Sequence, residues 1–398
     1  MPKTPLELCK TLRQTPVSQL ALQLAGRTDL DVPFVLRQVE GWQRLRTKVP
    51  TWAGHDELLY PPRLSLEQCS GETAARFKAE VVGLLIRDLR PADGQGLRMA
   101  DLTGGLGVDF SFMAPLFAEA TYVERQEELC RLARHNFPLL GLTNTHVVCA
   151  DCTDYLAQMP AADLLFLDPA RRNSMGRKTV CIEDCEPDVC ALLPQLLAKS
   201  QYTVLKLSPM LDIAAAMRSL GCVRQVFVVS TGGECKDLLL VLAQSEAQPV
   251  RITACEGPTH FTFTPDEEAQ AQPRYADRCA AYLYEPGPAL LKAGAFKLTA
   301  TRFQLDKLHP HSHLYTSAQR VEGFPGRRFE VVQAFGFGKQ DLKQLRHTAP
   351  CANLTVRNFP ASTEALRAKL KLREGGDNYI FATTLNDQSH VLLLCRKC

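Results

Sequence analysis

Three glycines, Gly104, Gly105 and Gly107, crowd the segment Asp101-Leu-Thr-Gly-Gly-Leu-Gly-Val-Asp109 between a strand-like run and a helix-like run. Glycine tolerates positive φ and presents bare backbone, so such a turn lets a ligand approach the main chain. A plain strand-to-helix bend uses the same residues, and the turn alone does not separate the two. Four acids favour the ligand: Asp101, Glu124, Asp151 and Asp168 each stand at or just past the end of an expected strand. In an open α/β sheet, ligands lie beyond the carboxyl ends of the strands. Chance would scatter acids over both ends. Glu124, about twenty residues past the turn, is placed to accept hydrogen bonds from a ribose diol.

These residues need a sheet to hold them. From residue 97 to about 243, strand and helix signals alternate as in a parallel α/β sheet. Strands are expected over residues 97–102, 120–123, 146–149, 164–167, 202–207, 223–229 and 238–242. A helix from Gln126 places Leu129, Leu132, Ala133 and Phe137 on one face. Only Ser230 to Asp237 separates the last two strands, too short for a parallel crossover, so they form an antiparallel hairpin. Ahead of the sheet, residues 1 to about 55 read as helices. A further amphipathic helix runs from about Glu72 to Leu89, with Ala75, Phe77, Val81, Val82, Leu85 and Ile86 as its core face, before Pro91-Ala-Asp-Gly94. Residues 251–320 read as irregular, with a turn and short helix around 284–296. From Arg328 the signals run strand, helix, strand, helix, strand, strand, including a helix capped by Ser362 and a pairing of 379–383 with 391–395.

At 398 residues and 45% hydrophobic content, the chain supports large cores in about two or three domains. The amino terminus lacks the apolar core of a signal peptide and the longest apolar runs fall short of a membrane span, so a cytoplasmic protein without membrane association is expected. The fifteen cysteines are odd in number and scattered, as expected of reduced thiols. Cys149/Cys152 and Cys395/Cys398 have metal-like spacing, but Cys149 falls in an expected buried strand and no set of four ligands forms, so no metal is expected. His309, His311 and His313 read as a polar surface loop. Residues 301–398 hold 15 Lys/Arg against 8 Asp/Glu, a balance of +7, whereas the first 300 residues sum to −4. Such asymmetry points to an anionic macromolecule as partner, or to a solvated face.

The glycine turn and the strand-end acids together resemble a class I S-adenosylmethionine-dependent methyltransferase. The resemblance implies a Rossmann-like seven-stranded sheet in the order 3-2-1-4-5-7-6, whose first motif, Asp101 through Thr103, Gly104, Gly105 and Gly107, bends around the methionine half of S-adenosylmethionine. Glu124, with Arg125 beside it, would hold the ribose hydroxyls, and Asp151 with the Cys152 amide would meet the adenine edge. Asp168-Pro169-Ala170-Arg171 would be the acceptor-facing motif, with Asp168 also reaching the donor. The antiparallel terminal hairpin agrees with the family. Thr103 departs from it, standing where the usual pattern has its first glycine.

The whole chain is similar, more narrowly, to a bacterial group of these enzymes with a C-terminal THUMP-like domain. The matching segments are Tyr60-Pro-Pro-Arg-Leu-Ser-Leu-Glu-Gln-Cys-Ser70, Glu72-Thr-Ala, Tyr284-Glu-Pro, Lys292-Ala-Gly-Ala-Phe296 and Lys369-Leu-Lys-Leu-Arg-Glu-Gly-Gly-Asp377. The implied organisation is a helical region over 1–58, a methyltransferase domain over 59–250, a ferredoxin-like domain over 251–325 and a THUMP-like domain over 326–398. THUMP domains are associated with RNA, which implies tRNA or rRNA as partner and agrees with the +7 balance. No feature calls for an obligate protein partner.

Methyl transfer from a sulfonium is an in-line displacement, so alignment matters more than acid-base machinery. Asp168 is the first choice for orienting the acceptor or taking its proton, with Pro169 stiffening the loop; capping of that loop is the alternative. Arg171, Arg172, Arg177 and Lys178 either meet a phosphate backbone or coat the loop. By resemblance, Gln68, Ser70 and Thr73 reach the donor's carboxylate; alternatively, Ser70 caps the helix that follows. Ala170 and Arg171 stand where amine-methylating enzymes place a base-stacking aromatic, which disfavours an exocyclic amine target. Strand five is followed by Ser208-Pro209 without a cysteine nucleophile, which disfavours pyrimidine C5, although Cys181 and Cys185 lie downstream of strand four. The alternatives to an RNA methyltransferase are an enzyme acting on a small molecule or protein, and a non-catalytic RNA-binding protein with a vestigial donor site.

Overall fold

The computed structural model describes residues 4–87, 89, 96–171, 181–244 and 249–398. They form two compact units, Met1–Arg224 with Asp237–Gln248, and Gln225–Lys236 with Pro249–Cys398.

The first unit begins with helices α1 (Pro5–Leu12), α2 (Val17–Gln23), α3 (Val32–Lys48), α4 (Pro50–Ala53), α5 (Arg63–Gln68) and α6 (Glu72–Ile86). Their starts follow local chemistry. Thr4 and Glu7 form a capping box on α1, and Asp31 accepts the Phe34 amide at the start of α3. Leu45, Val49, Trp52, Leu58, Tyr60, Leu66 and Ala75 form a core with Leu106 and Val108, so the helical preface packs against the segment that carries the glycines. Alternation follows with β1 (Arg98–Asp101), α7 (Val108–Met113), β2 (Glu119–Glu124), α8 (Glu127–Leu139), β3 (Thr145–Cys149), α9 (Cys152–Gln158) and β4 (Ala162–Leu167). A two-residue ladder, β5 (Ala170–Arg171) with β6 (Cys185–Glu186), precedes α10 (Val189–Lys199), β7 (Ser200–Leu207) and α11 (Ile213–Leu220). The hairpin strands are β8 (Val223–Thr231) and β9 (Glu234–Leu242), with Gly232 and Gly233 both at positive φ in the turn.

The strands β3-β2-β1-β4-β7-β9-β8 run in the expected order 3-2-1-4-5-7-6, and β9 pairs antiparallel to β7. The central strands are buried on both faces, which is why Leu164 to Leu167 read as one apolar run. β3 is the edge strand, and its Cys149 is exposed, not buried as its apolar neighbours suggested. On α6, Ala75, Val81, Val82, Leu85 and Ile86 are buried as expected, but Phe77 is only half-buried and Lys78 is buried as well.

In the second unit, the stretch from 251 expected to be irregular is regular. β10 (Arg251–Glu256) runs parallel to β8, and β11 (Thr259–Phe263) turns back against it. Then come α12 (Pro265–Gln270), β12 (Arg274–Tyr275), β13 (Tyr282–Pro286), α13 (Pro288–Ala293), α14 (Phe296–Arg302), β14 (Asp306–Lys307) and β15 (Tyr315–Ser317). The chain closes with β16 (Gly326–Gly336), α15 (Lys339–Thr348), β17 (Asn353–Arg357), α16 (Thr363–Leu370), β18 (Asn378–Thr384) and β19 (His390–Lys397). The strands from β12 onward form one eight-stranded sheet in the order β12-β14-β15-β13-β16-β19-β18-β17. Strand alternation sends Ile380 and Ala382 into a core with Leu345, Leu366 and Leu370 of α15 and α16, and Phe381 into another with Leu283 and Phe329.

Of the expected surface loop, His311 is exposed, but His309 and His313 are packed. His309 is buried, with Nδ1 2.9 Å from Asn358 Nδ2, and His313 stacks on Phe296 at 3.6 Å, where burial holds it down at about 4. Among the described residues no group of His, Cys, Asp and Glu could hold a metal ion, and no helix is long and apolar enough to cross a membrane.

Lys307 is the costly residue of this core. It is 1% exposed, its Nζ donates to the Pro310 carbonyl at 3.3 Å, and it faces the Phe296 and Tyr315 rings without a carboxylate ion pair among the described residues. Burial pulls its pKa down to about 8. The unfolded chain therefore binds more protons between pH 8 and the usual lysine value, so this penalty is complete below pH 8 and disappears as pH rises. Lys307→Met is expected to stabilise the protein by roughly 2 kcal/mol at pH 7, with the gain shrinking towards pH 10. Denaturant titrations at the two pH values measure it.

Candidate active site

The glycine turn is fixed from below and from both sides. Beneath it lie Tyr122, Phe110 and Phe137, with ring centroids 5.1–5.6 Å apart. A Cβ on Gly104 would stand 2.2 Å from the Tyr122 ring, and one on Gly107, at φ +85°, would stand 2.9 Å from Phe137. These two glycines serve packing. Gly105 differs: its φ is +54°, and a Cβ there would meet nothing closer than the Thr103 carbonyl at 3.8 Å. Its amide donates to Glu124 Oε2 at 3.0 Å, and its carbonyl accepts the Tyr122 hydroxyl. Glu124 Oε1 accepts the Gln126 amide at 2.9 Å, so this buried carboxylate ties the tip of β2 to the turn.

Thr103 links two strand ends. Its amide donates to Asp101 Oδ1 at 3.0 Å, and its hydroxyl oxygen accepts the Asp168 amide at 2.6 Å. A glycine at this position could not make the second bond. The departure at Thr103 therefore straps the loop after β1 to the loop after β4.

Under the turn lies a chain of charges. Lys78 Nζ of α6 is 3.1 Å from Asp109 Oδ1 of α7 and 2.8 Å from Asp237 Oδ2 of β9. Lys206 Nζ of β7 is 3.5 Å from Asp109 Oδ2 and 2.5 Å from Asp168 Oδ2. Ser70 Oγ donates to Asp109 Oδ2 at 2.7 Å and accepts from Lys78 Nζ at 3.1 Å. Burial opposes the Asp109 charge, but the two lysines outweigh it and hold its pKa below the usual range. Burial likewise opposes the Lys206 charge, yet Asp168, Asp109 and Asp237 raise its pKa, so it stays an ammonium. Asp168 is pushed up by burial, with Lys206 pulling the other way. Asp101 is buried, has only the Thr103 amide as hydrogen-bond partner among the described residues, and is pushed up to about 8.

The structure thus brings Asp101, Thr103, Gly104, Gly105, Gly107, Glu124 and Asp168 together at one end of the sheet, with Ser70 tied into the ion chain. Ser70 does not cap α6, whose N-cap is Gly71. Gln68 and Thr73 are exposed. Arg125 pairs with Glu186 at 3.0 Å, and Asp151 caps α9 by accepting the Thr153 amide, with Cys152 buried behind it. Pro169 is buried, and the Arg171 backbone lies in β5; Arg172, Arg177 and Lys178 fall outside the described residues. Sequence reasoning missed Lys78, Asp109, Tyr122, Lys206 and Asp237. The signal was present: Lys78 and Lys206 each interrupt an apolar face or strand.

The residues fit a methyl donor that carries a sulfonium, an ammonium and a carboxylate. Gly105 leaves open space beside a bare backbone, and four carboxylates (Asp101, Asp109, Asp168 and Asp237) surround two lysines. Four carboxylates against two ammonium groups leave a surplus of negative charge for a donor of net +1.

Residues 282–325 match the model of a ferredoxin-like domain, and residues 326–397 that of a THUMP domain-like family. The chain is 38% identical to a candidate methyltransferase from Porphyromonas gingivalis W83, over 99% of this chain and 97% of that one, with a TM-score of 0.86. A candidate class I S-adenosylmethionine-dependent methyltransferase from Listeria monocytogenes is 10% identical over 64% of this chain and 86% of its own, with a TM-score of 0.40. A candidate RNA methyltransferase from Pyrococcus horikoshii is 16% identical over 50% of this chain and 99% of its own, with a TM-score of 0.35. A search of curated proteins finds no match.

Thr103→Val removes the acceptor of the Asp168 amide at nearly constant volume. It is expected to cost about 1–2 kcal/mol in denaturant titration, whereas Thr103→Ser retains the bond and most of the stability. Equal losses in both variants would contradict the strap.

Proposed function

Since the chain belongs to the class I S-adenosylmethionine-dependent methyltransferases with a C-terminal THUMP-like domain, we propose that it transfers the methyl group of S-adenosylmethionine to RNA, tRNA or rRNA. The observation that carries the reading is the Gly105 backbone, held open at positive φ and tied to Glu124 at the tip of the next strand. Asp101 and the turn from Thr103 to Gly107 would hold the methionine half, Glu124 the ribose hydroxyls, and Asp151 and Cys152 the adenine edge. Arg125, next to Glu124 and paired with Glu186, would flank that ribose site. Ser70 supports the cluster through Asp109, and Gln68 and Thr73 stand on the segment leading to it. The donor supplies an activated methyl on sulfur; the protein supplies alignment.

Support for RNA comes from the carboxy-terminal quarter. Lys339, Lys343 and Arg346 are exposed and recur along one side of α15, and Lys369 and Lys371 are exposed at the end of α16. Such cations meet phosphates. A surface that binds this way loses affinity steeply as salt rises.

The test has two arms. Total RNA from a strain lacking the gene, incubated with labelled donor, is expected to take up label; failure of every RNA fraction alongside measurable donor binding would favour a protein or small-molecule acceptor. By calorimetry, donor affinity is expected to rise with pH up to about 8 and then level, by at most about tenfold per unit, because the cationic donor requires Asp101 deprotonated. Asp101→Asn is expected to bind weakly and without this slope. A flat wild-type profile would remove Asp101 from the donor site. In filter binding, the triple variant Lys339→Ala, Lys343→Ala, Arg346→Ala is expected to weaken RNA capture and flatten its salt dependence by about two to three in slope.

A further inference from the structure

We propose that the acceptor is a hydroxyl oxygen, the 2′-hydroxyl of a ribose in RNA, and that Lys206 and Asp168 together prepare it. This rests on the RNA reading above and narrows it to an atom. Asp168 follows β4 at the carboxyl end of the sheet and is half-exposed, and Lys206 lies near the end of the adjacent strand β7. Their side chains meet at 2.5 Å. Lys78 is sealed at 1% exposure between Asp109 and Asp237, whereas Lys206 is 11% exposed, so Lys206 is the cation of the chain that reaches the acceptor side.

The sign of that charge discriminates among acceptors. An amine nitrogen becomes more positive as it takes a methyl group, so an ammonium beside it opposes the reaction. Nor is there an aromatic at Ala170 or Arg171 to stack a base. A ring carbon needs a thiolate to activate it, and Cys185, in the ladder after this loop, is buried with its pKa pushed up to about 11. A hydroxyl oxygen becomes more negative as its proton departs, which an ammonium stabilises. RNA carries such a hydroxyl on every ribose.

The step balances without a further reagent. An oxygen lone pair forms the bond to the methyl carbon as the carbon–sulfur bond breaks, its electron pair staying on sulfur. The hydroxyl proton passes to the Asp168 carboxylate, which the Thr103 strap orients through the Asp168 amide and which later returns the proton to water. The groups facing Lys206 are Asp168 and Asp109 directly, with Asp237, Lys78 and Asp101 behind them.

The test uses the full-length protein, labelled donor and RNA from a strain lacking the gene. A 2′-O-methyl group removes the nucleophile needed for alkaline cleavage, so label is expected in alkali-resistant dinucleotides. Label in alkali-released mononucleotides would overturn the hydroxyl while leaving RNA as substrate; no label in RNA, with donor binding intact, would overturn RNA itself. Lys206→Met is expected to lower transfer about 100-fold while calorimetric donor binding stays within about threefold. Because that variant leaves Asp168 and Asp109 undercompensated, Lys206→Arg serves as a second test, retaining the charge, the fold and the dinucleotide product at reduced rate. Transfer by a folded Lys206→Met at the wild-type rate would exclude the role of Lys206. Cys181→Ser, at an exposed position outside this machinery, is expected to leave transfer unchanged; its loss would return ring-carbon chemistry to favour.

Discussion

The ion chain from Asp237 through Lys78, Asp109 and Lys206 to Asp168 is the constraint on which the rest of the site depends. Charges taken out of water cost several kcal/mol each unless partners repay them. Here the partners come from α6, α7, β7, β9 and the loop after β4, so none of those elements can shift without stranding a charge. Removing one member of such a set typically costs about 3–5 kcal/mol, because its partner remains buried and unpaired. Asp109 is the hinge of the arrangement. It sits in the first turn of α7, directly after the glycines, and receives both lysines and the Ser70 hydroxyl. An acid there also complements the helix N-terminus. Holding α7 by that residue fixes the exit of the glycine turn, while β1 and Thr103 fix its entrance.

Within that frame the glycines do different things. Gly104 and Gly107 are small because aromatic rings fill the space beneath them, and Gly105 is glycine because the chain must turn left-handed where its amide meets Glu124. The polar contacts of Thr103, Tyr122 and Glu124 then satisfy backbone groups that a tight loop would leave orphaned. A loop so determined is ordered in advance, which reduces the ordering cost of binding.

What the sequence made legible was set by range. Strand burial, the short hairpin connection and acids at strand ends are local patterns, and the strands from β1 to β9 other than the two-residue β5 and β6, with the elements after Arg328, follow them. The ion chain is not local: Lys78 and Asp237 are 159 residues apart, and each alone is a charged residue in an apolar setting. The core face read from periodicity included Phe77, which is only half-buried, and left out Lys78, which is buried. Cys149 misled for a related reason, since its strand is apolar but has a neighbour on one side only. The β10–β11 hairpin was invisible because its short, Thr-rich alternation sits among Pro and Gly, and its pairing with β8 is a property of topology. The histidines read as polar residues in a Pro-interrupted loop, and His311 is exposed, yet Asn358, from far along the chain, receives His309 and Phe296 receives His313.

Charge divides the chemistry between the parts of the chain. A carboxylate-rich cluster attracts a cationic methyl donor and, by the same field, repels a phosphate backbone. On the proposed reading, RNA is captured elsewhere, and the cations that suit it stand in the last hundred residues, whose balance is +7 against −4 for the rest. What remains at the acceptor side is one partly exposed ammonium, Lys206, set against Asp168. On the proposed reaction that single cation offsets the local repulsion where a ribose must approach and stabilises the oxygen as its proton leaves. On that reading the lysine that links Asp109 to Asp168 also chooses the atom, and its charge in an apolar strand, where a hydrophobic residue would pack at lower cost, serves both the ion chain and the acceptor.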